Sequence, residues 1–284
     1  MQEVTRIITP YLIIEEKTCG VAHMPTNKGW TRQQLIVAFG LYCQMPFGKM
    51  HSKNPKLVKY SKLIDRTPSA LAMKLTNIAS LDPAITNTGR KGLKGASTAD
   101  RSMWDEMIND WERFAIEISQ TFDNLADNDA CEAYSKHEKN TTEVSYAGKD
   151  KIVQTTIRVG QAFFRNSVLS AYNNQCCITG LTEPRLLIAS HIVPWSQDKE
   201  NRLNPKNGLA LSMLHDKAFD IGLITIERDM TVLVSKNIKI KDEFFNSSIH
   251  SYDGKEIFLP EKFQPDEKFL LYHRNNIFEK WLTI

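Results

Sequence analysis

Two short stretches decide how the second half of the chain folds. The first is RLLIASHIVPW at residues 185–195, and the second is NGLAL at residues 207–211, which leads into a helical stretch. The first stretch is rich in apolar and β-branched residues and is closed by Pro194, which is typical of a strand. The sequence CITG at residues 177–180 reads as an earlier strand that ends in a glycine turn. We therefore predict a β-hairpin of 177–180 with 185–195 that places His191 at a strand end.

The helical stretch that follows carries polar side chains at helical spacing. His215, Asp216 and Asp220 fall on it, and Asp216 and Asp220 are four residues apart, so their side chains share one face of a helix. His191, Asn207 and this third polar group stand on strand, loop and helix in that order. This is the element order of a ββα-metal site.

Several further motifs occur in the right order around these residues. They are RVGQ at 158–161, CITG at 177–180, HIVPW at 191–195, NGL at 207–209 and HDKAFDIGLI at 215–224. Together they make the segment from about residue 152 to 235 similar to the HNH (ββα-metal) endonuclease family, in its bacterial restriction-type branch. A lone His-Asn-His spacing is weak evidence, but so many ordered elements are a specific match.

The resemblance implies roles for particular residues. His191 matches the general base, which takes a proton from the water that attacks the phosphorus. Asn207 matches the central asparagine that hydrogen-bonds across the loop. Asp216 and Asp220 match the helical metal ligands, and His215 either ligates in place of Asp216 or orients it. The predicted catalytic residues are thus His191, Asn207 and His215, and the predicted metal ligands are Asp216, Asp220 and His215.

The expected cofactor is a divalent metal ion. Carboxylate oxygens favour Mg²⁺ or Mn²⁺, whereas a site that uses His215 could accept Zn²⁺ or Ni²⁺ as well. One position departs from the family pattern, because many HNH enzymes have an Asp or His ligand immediately before the base and this chain has Ser190. A hydroxyl is a poor ligand, so we expect weak metal binding or a vacancy filled by water or substrate phosphate.

Charge is strongly segregated along the first half of the chain. From Lys28 to Arg101 there are thirteen Lys or Arg against three acids, a balance of +10, and from Ser102 to Asp150 there are four bases against twelve acids, a balance of −8. This predicts a basic unit that meets a polyanion, followed by an acidic helix and connector. The alternative is a basic face that only keeps the protein in solution.

Three short helices are predicted in the basic unit. Thr31 is a candidate N-cap of the first, and Pro68 opens the third at its first turn. The arrangement resembles a helix-turn-helix or Myb-like DNA reader, although a plain three-helix structural bundle fits equally well. Arg90, Lys91 and Lys94 lie in a basic loop that could follow phosphates.

A further helical pattern covers residues 152–172. Arg158, Gln161 and Arg165 are three and four residues apart, so they share one face that could bind phosphates. The alternative is that they form salt bridges with the acidic connector.

The predicted fold class is α+β. A mainly helical, basic DNA-recognition domain at 1–123, which begins with an extended arm or edge strands at 1–27, is followed by an acidic linker at 124–150 and a nuclease domain at 151–284. Near the end of the chain we predict a hairpin of 223–226 with 231–234 and a last helix near 276–282.

Composition narrows the class of protein. The five cysteines include no Cys-x-x-Cys pair, which argues against a disulfide framework and a four-cysteine zinc site. No apolar run approaches the roughly 20 residues of a membrane span, and the first ten residues do not resemble a signal peptide. We expect a cytoplasmic protein without a membrane partner.

The sequence leads to one main hypothesis and two alternatives. The main hypothesis is a DNA endonuclease of restriction or phage-defence type that acts on double-stranded DNA as a homodimer, because a double-strand break needs two active sites. The first alternative is a non-catalytic DNA-binding protein with a decayed HNH fold, and the second is an RNA or non-specific nuclease toxin.

Overall fold

The structure is a computed structural model that describes residues 29–87, 95–134, 149–239 and 242–280, with the side chains of 127–134 and 149–159 outside that description. The predicted arm at 1–27 and the basic loop with Arg90, Lys91 and Lys94 lie outside the described residues. The chain divides into two compact units, Met1–Trp30 and Thr31–Ile284, and the second contains the helices and strands that follow.

Helices precede the strands along the chain. Within the described ranges the helices are α1 (Arg32–Gln44), α2 (Pro55–Leu63), α3 (Pro68–Ala79), α4 (Pro83–Thr86), α5 (Thr98–Asn109), α6 (Trp111–Tyr134), α7 (Lys149–Ala171), α8 (Met213–Asp220), α9 (Glu243–Ser248) and α10 (Glu267–Asn276). The strands are β1 (Leu187–His191), β2 (Gly208–Ser212), β3 (Ile224–Ile226) and β4 (Val232–Val234). This confirms the α+β class with a helical N-terminal region.

Local signals place the first helices as predicted. Thr31 caps α1 in a reciprocal capping box with Gln34, and Pro68 stands at the first position of α3 behind the cap Thr67. Asp82 caps the short α4, because its carboxylate accepts from Ala84 N at 2.9 Å. Helix α1 is buried from residue 35 to 43 and packs against α3, α6 and α7, which makes it the centre of the core.

Buried polar side chains fasten residues 242–280 to α1. The Lys262 ammonium is buried and donates to the carbonyl oxygens of Tyr42, Cys43 and Met45 at 2.5, 3.1 and 2.8 Å. These carbonyls end α1 and have no partner within the helix, so the lysine satisfies them. Burial lowers the pKa of Lys262 to about 8. A division into domains at 123 and 151 stays a prediction.

The predicted partner of the His191 strand is wrong. β1 pairs antiparallel with β2, with His191 opposite Gly208 and Leu187 opposite Ser212. Residues 177–180 form a turn in which Gly180 N donates to Cys176 O at 2.9 Å. Cys177 N donates to Ala210 O at 2.7 Å, so the turn is attached to β2 by single hydrogen bonds and not by a ladder.

Two predictions near the end of the chain have different outcomes. The hairpin of 223–226 with 231–234 is confirmed, because Ile224 pairs with Val234 and Ile226 with Val232. The helix predicted near 276–282 is not seen over 277–279, which form turns after α10 ends at Asn276, and residues 281–282 lie outside the described residues. No helix in the described part of the chain has the length and apolar character needed to cross a bilayer.

Candidate active site

The candidate site is built by β1, β2 and α8. β1 ends at His191, and β2 runs directly into α8 through Ser212, whose side chain accepts from His215 N as the N-cap. Helix α8 packs on both strands. Strand, loop, strand and helix therefore bring His191 and the Asp216 carboxylate of α8 close together.

His191 is held on three sides. Its ring stacks on Phe164 of α7 with centroids 3.9 Å apart and planes at 8°, and the Trp195 ring meets it edge-on at 5.5 Å. Its Nε2 lies 2.9 Å from the carbonyl oxygen of Arg202. Because a carbonyl only accepts, Nε2 carries the proton in the neutral ring and Nδ1 carries the lone pair.

Burial sets the protonation of His191. Removal from water lowers the pKa of the imidazole, while the Arg202 carbonyl and the negative charge of Asp216 act in the opposite direction. The net direction is downward from the ordinary value of 6.5. The ring is therefore neutral near pH 7, the form that can accept a proton.

Asn207 ties the two ends of the loop together. Its Oδ1 accepts from Val193 N at 2.8 Å, and its Nδ2 donates to Val193 O at 3.2 Å and Asn201 O at 3.4 Å. Its backbone oxygen accepts from Ile192 N at 3.0 Å. The buried amide thus fixes the chain directly after His191.

Asp216 and Asp220 influence each other. Burial raises the pKa of Asp216, and the Ser190 hydroxyl, Lys217 and His191 oppose this effect. The pKa of Asp220 is raised to about 6, first because its carboxyl is partly removed from water and then by the charge of Asp216. The residue as a whole still lies on the exposed surface. The two carboxylates are therefore near neighbours, and Asp216 is also close to His191.

Ser190 is a neighbour of Asp216 but not a firm anchor for it. Its buried hydroxyl reaches hydrogen-bond geometry with no described residue, yet it lies close enough to lower the pKa of the Asp216 carboxyl. The serine thus lies beside the Asp216 carboxylate.

His215 has a different environment from the two carboxylates. It is buried, its Nδ1 lies 2.8 Å from Ser212 Oγ, and its ring meets Tyr252 edge-on at 5.4 Å. Burial lowers its pKa, and the Ser248 backbone only partly offsets this. Its buried Nε2 meets the geometric criterion for a hydrogen bond with no described residue, although the Ser248 backbone lies near enough to act on the pKa. Contacts within the described residues thus tie His215 to the first turn of α8 and to Tyr252.

Comparison with known proteins bears on this geometry. Residues 176–227 match the family model described as HNH endonuclease. The chain carries an HNH endonuclease domain. The matched residues include β1, the loop, β2 and α8, so the domain contains His191, Asn207 and both carboxylates. Comparison with curated proteins finds no match.

Among solved structures, similarity is found to one described as a modification dependent TagI restriction endonuclease. The sequences are 19% identical, the TM-score is 0.31, and the similarity covers 42% of this chain. It spans 40% of the length of that protein.

The donor set of the HNH domain suits a hard cation. Within the described ranges, no group of three or more His, Cys, Asp or Glu is placed to hold a metal ion. Asp216 and Asp220 provide two neighbouring carboxylates, and Mg²⁺ uses one or two protein carboxylates together with water and phosphate oxygens. The repulsion that raises the pKa of Asp220 is the kind that a bound cation relieves. A closed zinc site needs four protein ligands and fits less well.

The residues predicted to contact nucleic acid have separate outcomes. Gln161 is exposed on α7, whereas Arg165 is half-buried and donates to Leu187 O at 2.8 Å and Pro184 O at 3.2 Å. The Arg165 guanidinium thus anchors the start of β1, a contact that residue spacing alone does not indicate. The side chain of Arg158 lies outside the described residues.

Two contacts of His191, with Phe164 and with the Arg202 carbonyl, have no clear signature in the sequence. Phe164 is one of several apolar residues on α7, and nothing in the periodic pattern distinguishes the ring that stacks on the histidine. Arg202 contributes its backbone carbonyl, which every residue type possesses. Gly208 is a clue to the Phe164 contact, because a glycine within a strand can mark close approach by another element, and a Cβ there would lie 2.9 Å from Phe164 Cζ.

Proposed function

We propose that this protein is a metal-dependent DNA endonuclease of restriction or phage-defence type. The observation that carries the proposal is the hydrogen bond of His191 Nε2 to the Arg202 carbonyl, which leaves Nδ1 as the basic nitrogen of an imidazole that also senses the charge of Asp216. The HNH family match at residues 176–227 supports a nuclease, and the basic balance of the first hundred residues supports a nucleic-acid substrate.

His191 is the general base in this proposal. Its Nδ1 accepts a proton from a water molecule, the water oxygen forms a bond to phosphorus, and the bond from phosphorus to the 3′ oxygen breaks in line. The leaving oxygen takes a proton from solvent. Stacking on Phe164 and the hydrogen bond to Arg202 hold the ring so that it does not rotate during proton transfer.

Asp216 and Asp220 would hold a divalent ion, with Mg²⁺ or Mn²⁺ preferred and Zn²⁺ or Ni²⁺ as alternatives. When bound, the ion supplies stabilisation of the charge that develops on the phosphate and the leaving oxygen. Within the described residues, His215 contacts Ser212 and Tyr252 and not the two carboxylates. We therefore assign His215 a positioning role, in which its bond to Ser212 orients α8. Asn207 positions the base by holding the chain after His191.

DNA recognition is assigned to the basic residues of 1–123 and to one face of α7. Arg90, Lys91 and Lys94 would follow the phosphate backbone, as would Arg158 and Gln161. Arg165 has five N–H donors and uses its guanidinium to bind two carbonyls, so its contribution to DNA binding would be secondary. We further propose a homodimer, because cleavage of both strands of DNA needs two such sites.

A second candidate function is a DNA-binding protein whose HNH site has decayed. Ser190 favours it, because a hydroxyl stands where many HNH enzymes have a ligand, and the described residues place no group of three His, Cys, Asp or Glu to hold an ion. Such a protein would bind DNA without cutting it.

The test is a cleavage survey with the purified full chain. Supercoiled plasmid, methylated and unmethylated phage DNA and structured RNA are each incubated with Mg²⁺, Mn²⁺, Ni²⁺ or Zn²⁺, and the product ends are sequenced. We expect nicks or double-strand breaks in DNA with Mg²⁺ or Mn²⁺. DNA left intact under every condition would contradict the proposal, and faster degradation of RNA would favour a toxin.

A further inference from the structure

Arg202 contacts both the catalytic histidine and the helical part of the chain. Its carbonyl oxygen lies 2.9 Å from His191 Nε2. Its guanidinium donates to Glu112 Oε1 at 2.6 Å and lies over the Trp195 ring at 5.1 Å. One loop residue therefore connects the base, through its backbone, to the first turn of α6, through its side chain.

The partner of Arg202 sits on a firm support. Glu112 follows Trp111, which is buried and packs edge-on against Phe263 at 5.5 Å. The start of α6 is fixed further by Asp110, whose carboxylate accepts from Arg113 N at 2.9 Å. Because its neighbours are packed, the Glu112 carboxylate offers the loop a fixed attachment point.

The residues on either side of Arg202 are fixed by other contacts. Asn201 O accepts from Asn207 Nδ2 at 3.4 Å, and Leu203 is buried beneath α7. A Cβ at Gly160 of α7 would lie only 2.9 Å from Leu203 Cδ1, which shows how closely the helix approaches the loop. With both neighbours held, the main freedom left to Arg202 is rotation of its peptide plane, which would turn the carbonyl away from His191.

The ion pair is too exposed to matter much for stability. The Arg202 and Glu112 side chains keep 23% and 39% of their surface accessible. Pairs of this kind contribute at most about 1 kcal/mol to folding. Its effect should therefore be on the direction of the Arg202 carbonyl and not on the free energy of unfolding.

We propose that Glu112 and the Arg202 side chain are positioning residues that hold the Arg202 carbonyl against His191 and so keep the basic lone pair on Nδ1. This inference rests on the proposed role of His191 as general base. It gives the helical part of the chain direct influence over the base, since any partner that displaces the start of α6 would also release the carbonyl.

The test compares Glu112→Gln with wild type in the full chain. Long-range proton–nitrogen NMR of the imidazole reports which nitrogen of His191 carries the proton in the metal-free protein. We expect one Nε2-protonated form in wild type and a mixture of both forms in the variant. For DNA cleavage we expect kcat to fall about tenfold, less than the hundredfold that a 1 Å misplacement can cost, with KM unchanged.

A matched control is Glu106→Gln, which breaks the ion pairs of another helical carboxylate with Arg32 and Arg113 and does not touch the loop. It should leave both the NMR signals and kcat unchanged. Arg202→Ala should lower kcat, and Arg202→Lys, which keeps the positive charge, should lower it less.

Three results would overturn the link. They are a single Nε2-protonated form in Glu112→Gln, an unchanged kcat in that variant, or an equal loss in Glu106→Gln. A wild type that cuts no nucleic acid would instead refute the proposed function, and the NMR comparison would still decide whether Glu112 controls the imidazole.

Discussion

Gly208→Ala should damage the site by sterics alone. Gly208 lies opposite His191 in the β1–β2 ladder, with φ −137° and ψ 144°, an extended conformation that alanine adopts without strain. A Cβ there would lie 2.4 Å from Val168 Cγ2 and 2.9 Å from Phe164 Cζ. Both residues are buried on α7, and the His191 ring stacks on Phe164.

The size of the effect follows from these distances. Carbon atoms in ordinary contact are about 3.5–4.0 Å apart, so the strand or the helix must move by about 1 Å. Such overpacking costs about 1–3 kcal/mol. For chains of about 150–250 residues this lowers Tm by about 2–4 °C per kcal/mol. A similar displacement of His191 would lower the cleavage rate by up to about 100-fold.

Thermal unfolding and single-turnover cleavage measure the two effects separately. Gly48→Ala is the control, because a Cβ at that position meets nothing within 4 Å. Wild-type Tm together with a wild-type rate in Gly208→Ala would refute the idea that α7 packs directly against the base strand.

Three further predictions concern protonation and metal binding. Because burial lowers the pKa of His191, the single-turnover cleavage rate should rise with pH and level off, with a midpoint below pH 6.5. A midpoint above pH 6.5 would argue against His191 as the base. Burial also lowers the pKa of His273 to about 4, so only the unfolded chain gains this proton between pH 6.5 and 4. In urea unfolding, this residue should lower the free energy of unfolding by up to about 1.4 kcal/mol for each pH unit of acidification in that range. The decrease should be shallower in His273→Gln. Asp220→Asn removes a repulsion with Asp216, so the Tm of the metal-free variant should equal or exceed that of wild type. The rise in Tm that Mn²⁺ causes should be smaller in the variant, because one ligand is lost. An equal rise in both proteins would exclude Asp220 as a ligand.

What could be predicted from sequence depended on short-range signals. The cap at Thr31 and the helix start at Pro68 depend on residues within four positions of each other, and so does the shared face of Asp216 and Asp220. His191 at the end of a strand follows from the apolar run and Pro194. These features are local, so a single sequence carries them.

The features that escaped prediction depend on distant contacts. Residues 177–180 and 208–212 are both short apolar runs, and only packing decides that the second pairs with β1. The donors of Arg165 suit a phosphate and a carbonyl equally, so its choice of Leu187 O could not be read from spacing. The Arg202 carbonyl has no residue-type signature at all.

The central claim is that His191 is the catalytic base, and single-turnover cleavage by His191→Ala tests it most directly. Wild type and variant are compared on the same DNA with saturating Mg²⁺ or Mn²⁺, and the Kd for DNA is measured alongside. We predict an unchanged Kd and a rate at least about 100-fold lower, the range that general base catalysis provides. A variant that cuts within a few-fold of wild type would contradict the claim.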